Sequence, residues 1–381
     1  MVRRVVAFWA PVRRVSRGGA ARGTGGPPRA SRRGRAAPPP RLLMPLGLAL
    51  AGCFAPYGPT TTGVVDQVPA GADALRLVYL GTGGWLLEHG DDVVLTAPLF
   101  TNPGLIRTGL LPIESDHAVV DRFMSRYDVS DARAILVGHA HYDHLMDVPR
   151  VAAEHAPQAR IVGSRTVANT LGTWSGLAGR MDVVNDSAGD QRTVGRWLRY
   201  GDGVRVMALR SKHAPHFDGH TLYEGTRDAP LEAPPRWAAE WLDGHTFAYL
   251  IDFLRPGDSV AFRVYYQDAV VAPPLGAAPE ALIARHPVDV AILVPATFDQ
   301  VDWHPEALIE NLRPRRVILG HWEDFFVALD DALESLEGVA DPIRLTDLGH
   351  FVARLDRSFD GPWWRPIPWA EFRFPPGDAG S

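Results

Sequence analysis

The stretch that most constrains this chain is His139-Ala140-His141-Tyr142-Asp143-His144, which follows the apolar run Ala134 to Val137 and the turn residue Gly138. Three histidines and a carboxylate released within six residues from the end of an apolar strand are hard to explain as packing. In an extended segment alternate side chains share a face, so His139 and His141 can point at one ion. Asp143 and His144, just past the bend, can reach a second ion beside it. Imidazole suits zinc and related divalent ions, and the carboxylate hardens the second position toward zinc, iron or manganese.

Residues 1–43 hold eleven Arg and no Asp or Glu, with Gly, Pro, Ala and Ser making up much of the rest, so they cannot build a core. The next segment, Leu42 to Cys53, is a short apolar run ending in Leu50-Ala51-Gly52-Cys53. It resembles a bacterial lipoprotein signal, which implies cleavage before Cys53 and lipid attachment to that cysteine. Cys53 is the only cysteine of the chain, and Phe54 to about Ala74 is Pro-, Gly- and Thr-rich, as a flexible tether would be. The expectation is a protein of the bacterial cell envelope, held outside the cytoplasm by lipid alone.

Without the leader the charge balance is 28 basic against 44 acidic residues, a net of −16. Such a body repels phosphate backbones, which argues against nucleic acid as a partner.

Beyond Ala74 the patterning alternates strands and helices: Leu75 to Leu80, Trp85 to His89, Val93 to Thr96, a helix from His117, the motif strand, and a helix capped at Asp147. Three later apolar runs also stop at a possible ligand. Val204 to Leu209 leads to His213, with His216 as a rival three residues on; Val264 to Gln267 ends at Asp268; Val317 to Gly320 ends at His321.

This order resembles the metallo-β-lactamase-fold hydrolase superfamily from about Leu75 to Phe326. The resemblance implies an α/β fold, a four-layer αββα sandwich over residues 75–330, with a metal cleft at the strand ends. It further implies that His139, His141 and His213 hold one metal and that Asp143, His144 and His321 hold the other, with Asp268 bridging. True β-lactamases of this fold generally lack that aspartate, so Asp268 points away from antibiotic hydrolysis. His321-Trp322-Glu323-Asp324-Phe325 looks most like the branch with ascorbate-phosphate lactonases and N-acyl-phosphatidylethanolamine phospholipase D. Two departures stand out: Thr96-Ala97-Pro98 where many relatives carry Asp-Pro or Asp-Thr, and Gln267-Asp268-Ala269 where they carry Gly-Asp-Thr.

The expected chemistry is attack by a hydroxide formed from water between two divalent cations, most simply zinc, with manganese or iron as alternatives. Asp143 would orient it and relay its proton. His216, His220 and Tyr266 are candidates for a substrate contact or leaving-group acid. The substrate expectation is a small or lipid-like ester, phosphodiesters and phospholipids ahead of lactones and thioesters. A catalytically idle metal-binding lipoprotein and a di-iron redox protein are the readings from other classes. The excursion 214–244, with Pro234-Pro235-Arg236-Trp237, is placed to form a lid or to pack on its own aromatics. Residues 331–381 read as a helix followed by a Trp- and Pro-rich tail packed on the domain.

Overall fold

The computed structural model describes residues 60–68, 73–329 and 342–376. The early strands are β1 (Thr60–Thr61), β2 (Val64–Asp66), β3 (Leu75–Gly81), β4 (Gly84–His89), β5 (Asp92–Thr96), β6 (Ala134–Leu136), β7 (Arg160–Gly163) and β8 (Met181–Val183). Then follow β9 (Leu198–Tyr200), β10 (Val204–Arg210), β11 (Phe247–Leu254), β12 (Val260–Tyr266), β13 (Val290–Leu293), β14 (Val317–Leu319), β15 (Trp363–Pro366) and β16 (Glu371–Phe374). They form two sheets, ordered β1-β15-β14-β13-β12-β11-β10-β9 and β2-β16-β3-β4-β5-β6-β7-β8.

Strand alternation makes the layers. Leu75, Leu77 and Tyr79 face the opposite sheet and join one core with Val204, Val206, Tyr249, Ile251 and Val264, while Val78 and Leu80 turn outward. The outward set packs with Ile135, Ile161, Val120, Phe123, Leu145 and Leu171 under the helices of that side. On the far side Leu308, Leu312, Phe351 and Leu355 cover the second sheet. The result is the expected αββα sandwich. Strands β11 and β13 are buried along their whole length, and β13, paired parallel on both sides, is apolar throughout.

Topology puts the ligand candidates at one rim. β12 and β14 both run parallel to β13, and β10 points the same way because two antiparallel pairings separate it from β12. The chain therefore leaves β10, β12 and β14 on the same side, toward His213, Asp268 and His321. β6 delivers His139 from the facing sheet.

Two stretches differ from expectation. Thr60 to Asp66, read as part of a flexible tether, enters both sheets: β1 pairs parallel with β15, and β2 with β16. The Trp- and Pro-rich tail supplies those partners as two strands, with Leu348–Ser358 as a helix before them. Strands of two to four residues are too short for a periodicity to show, and their stability comes from partners some 300 residues away in sequence. The remaining tether residues at 54–59 and 69–72 and Cys53 lie outside the described residues, as do residues 330–336 of the helix expected after Glu323; its described start, residues 324–328, forms turns instead.

One buried charge cluster ties β10, β11 and β12 together. Asp252 accepts from the Arg263 guanidinium at 2.7 and 2.9 Å and from Arg205 at 2.7 and 3.0 Å. Asp252 is fully buried and Arg263 is 2% exposed, so removing the acid strands a cation away from water. Asp252→Ala should lower stability by about 3–5 kcal/mol, read as a shift of the urea unfolding midpoint; a shift under about 1 kcal/mol would mean the cluster relaxes into solvent.

Candidate metal centre

The motif is built by a change of backbone conformation inside six residues. His141 is extended at φ −62°, ψ 155° and caps the single helical turn Tyr142–Leu145, which swings Asp143 and His144 away from the line of His139 and His141. Gly138 makes the approach possible. A Cβ there would lie 2.1 Å from the Asp268 Cβ and 2.4 Å from its Oδ2, so only a residue without one lets the ends of β6 and β12 meet.

Seven side chains converge. His139, His141 and His213 each offer a ligand atom within 4.8 Å of the others, and so do Asp143, His144 and His321. His139 Nε2 is 3.1 Å from His141 Nδ1. Asp143 Oδ2 lies 3.3 Å from Nε2 of both His144 and His321. Asp268 spans the two triads through one histidine of each: Oδ2 is 2.5 Å from His139 Nδ1, and Oδ1 is 3.0 Å from His144 Nδ1. An ionised carboxylate only accepts, so Nδ1 of His139 carries the proton and its Nε2 lone pair faces His141.

His213 is oriented in the same sense. Its Nδ1 donates to the Ala214 carbonyl at 2.6 Å, which leaves Nε2 with its lone pair. His216, the rival, stacks on His213 with ring centroids 4.6 Å apart but belongs to neither triad. His220 is exposed and packs on Phe217. Tyr266 is buried, its hydroxyl shared between the Gly83 carbonyl at 2.8 Å and Asp268 Oδ1 at 2.5 Å.

The donor set fits divalent metal. All but His213 are buried, and His141 Nε2, His144 Nε2 and His321 Nδ1 have no hydrogen-bond partner there. Polar atoms held this far from water are costly unless something charged meets them.

Electrostatics divides the site. Burial, then the neighbouring His139, holds His141 and His213 well below the ordinary histidine range; burial pushes His216 down to about 4. At the other end burial opposes charge on His144, but Asp268 and Asp143 outweigh it and raise its pKa to about 10. Both acids resist burial because His144 favours their charged forms. One end thus presents neutral imidazoles and the other anionic oxygen, matched to softer and harder coordination.

A frame of buried groups supports this. Thr96, beside the missing aspartate, donates through Oγ1 to the Gly83 carbonyl at 2.5 Å. A Cβ on Gly83 would lie 2.6 Å from His144 Nδ1. The Glu323 carboxylate accepts from the Thr82 amide at 2.6 Å and from the Tyr79 hydroxyl, and the His321 amide donates to Tyr79 Oη at 3.1 Å and to the Thr82 carbonyl at 3.0 Å. These bonds hold His321 at φ +49°, a left-handed conformation disfavoured for a residue with a Cβ. No sequence pattern singles out Glu323 or Tyr79. The excursion 214–244 packs around the motif: the Ala140 amide donates to the Asp243 carbonyl at 2.9 Å, and the Tyr223 ring is 6.3 Å from His141.

Glu323→Ala should weaken metal binding by the Asp143, His144 and His321 triad ~10–100-fold while sparing the three-histidine triad. Competition against a chelating dye reads this; metal affinity unchanged from wild type would show that Glu323 does not orient His321.

The family model described as a beta-lactamase superfamily domain matches residues 114–322. A metal-dependent hydrolase of Ruegeria sp. is 25% identical over 179 residues, 44% of this chain and 69% of that protein. One from Ruegeria pomeroyi is 28% identical over 179 residues, covering 45% and 64% of the two chains. The match thus spans about two thirds of each Ruegeria protein. Among solved structures, Igni18, a metallo hydrolase from the hyperthermophilic archaeon Ignicoccus hospitalis, has the same fold: TM-score 0.50 at 14% identity, covering 79% of this chain and 98% of that one. Matched by the family model over more than half its length, the chain belongs to the beta-lactamase superfamily.

Proposed function

We propose that the protein is a dinuclear metal-dependent hydrolase that cleaves an ester-type bond, most readily a phosphodiester or phospholipid-like ester, with lactones and thioesters as the alternative substrates. The observation that carries this reading is the pair of donor triads joined through Asp268 at one rim. His139, His141 and His213 would hold one ion and Asp143, His144 and His321 the other. Divalent ions there supply Lewis-acid polarisation of the ester oxygen and a water ionised near neutral pH, with a pKa of ~7 on catalytic zinc.

The chain's own groups do the rest. Asp143 Oδ2 faces the donor atoms of its triad, where it can orient a water molecule and accept its proton. Asp268 fixes the His139 tautomer. Tyr266 is committed to Gly83 and Asp268, so its hydroxyl is not free to meet a leaving group, while His220 is exposed and packs on Phe217. Thr96 and Glu323 together bind the loop at Thr82 and Gly83, which supports a working site despite Ala97.

We further propose attachment to the bacterial envelope through Cys53. Six residues, 54–59, separate that cysteine from β1, a span of at most ~20 Å when extended, so a lipidated protein would lie against the membrane. Among the described residues no helix is long and apolar enough to cross a membrane.

Elemental mass spectrometry on purified protein should find close to two zinc, manganese or iron ions per chain, with turnover of one class in a panel of phosphodiester, lactone and thioester probes. His139→Ala and Asp268→Ala should lose metal and turnover together; either variant keeping full metal content would remove that residue from the ligand set. Cys53→Ser should move the protein from membranes to the soluble fraction, and continued membrane fractionation would refute the anchor.

A further inference from the structure

His216 and His213 are three residues apart, and their rings stack nearly parallel, at 10° and 4.6 Å. Their hydrogen bonds give them opposite polarity. The His216 Nδ1 lies 3.0 Å from the Leu222 amide nitrogen. A backbone amide can only donate, so that Nδ1 must offer a lone pair, and a neutral imidazole then carries its proton on Nε2. His213 is the reverse, with its Nδ1 proton on the Ala214 carbonyl and a lone pair on Nε2. One ring of the stack presents a metal-binding lone pair and the other an N–H.

The loop around His216 is built to keep it so. The His216 amide donates to the His220 carbonyl at 2.8 Å, Phe217 and His220 form a two-way backbone bridge, and Asp218 and Gly219 make the turn at φ +44° and +78°. The ring is half-buried and lies beside two members of the three-histidine triad, 5.8 Å from His141 and 4.6 Å from His213.

We propose that His216 is a catalytic residue that donates its Nε2–H to the substrate oxygen on which negative charge gathers, keeping that proton throughout. This rests on the ester-hydrolase reading and gives the excursion 214–244 a place in it. The ligand role fails because a lone pair on Nε2 would put an Nδ1 proton against the Leu222 amide proton. The general-acid role fails for the same reason, since an imidazolium needs both nitrogens protonated. A donor fixed before the reaction beside the atoms where charge develops is a large source of rate enhancement.

The test uses the full chain loaded with zinc, as wild type, His216→Ala and His216→Gln; the glutamine amide can place an N–H near the position of Nε2. Both variants should keep the wild-type zinc content. With the probe that wild type hydrolyses, His216→Ala should lower kcat ~10²–10³-fold, and His216→Gln should recover at least tenfold of that loss. Long-range proton–nitrogen spectra of histidine-labelled wild type should show His216 protonated on Nε2 and bare on Nδ1. Loss of an ion in His216→Ala would make it a ligand instead, and unchanged kcat would remove it from the reaction. Full metal with glutamine no better than alanine would point to proton transfer and overturn the proposal. If zinc-loaded wild type hydrolyses no probe, the hydrolase reading fails by itself. The tautomer spectrum and the binding of inorganic phosphate then decide: His216 bare on Nε2, or phosphate bound equally by wild type and His216→Ala, overturns the donor role.

Discussion

The Asp268 carboxylate, buried between His139 and His144, is the contact on which the rest of the site depends. It closes the rim where β6 of one sheet meets β12 of the other, and it can do so only because Gly138 has no side chain. Two histidines take their orientation from it. Tyr266 then binds the same carboxylate to the Gly83 carbonyl, and Thr96 binds Gly83 to β5. The hairpin turn at Gly81 to Gly84 is therefore a shared anchor for three separate ligand-bearing segments.

Gathering five histidines and two aspartates out of water runs against ordinary core energetics, since each polar atom must recover in the interior what it loses in hydration. Asp143 and Asp268 recover it through His144, and the neutral His141 and His213 avoid much of the cost by staying uncharged. What is left over is a set of unpartnered buried ring nitrogens on His141, His144 and His321. In a site meant only for packing such atoms would be a defect; beside anionic oxygens they are what a divalent cation requires.

Both rings lie near His141, at 5.2 Å for His213 and 5.8 Å for His216, but only His213 places a ligand atom in the triad. The difference is which nitrogen the backbone has claimed. An Ala214 carbonyl and a Leu222 amide, neither of them part of any motif, turn two identical residues into a lone-pair donor and a proton donor.

Much of this was legible in the chain. The strands followed from apolar runs, and the ligand candidates from runs that each stop at a His or an Asp, because strand periodicity and the reach of neighbouring side chains are local properties; the sandwich came only as what the family resemblance implies. The sequence by itself thus determined the strand–turn–histidine units and the residue types offered to a metal. Tertiary structure decided which units meet, that Thr60 to Asp66 and Trp363 to Phe374 seal both sheets together, that Glu323 and Tyr79 hold His321 in its left-handed turn, and which nitrogen of each histidine is free. Each of those outcomes depends on a hydrogen-bond partner far away in the chain, or on the direction from which a backbone group arrives, and neither leaves a local pattern to read.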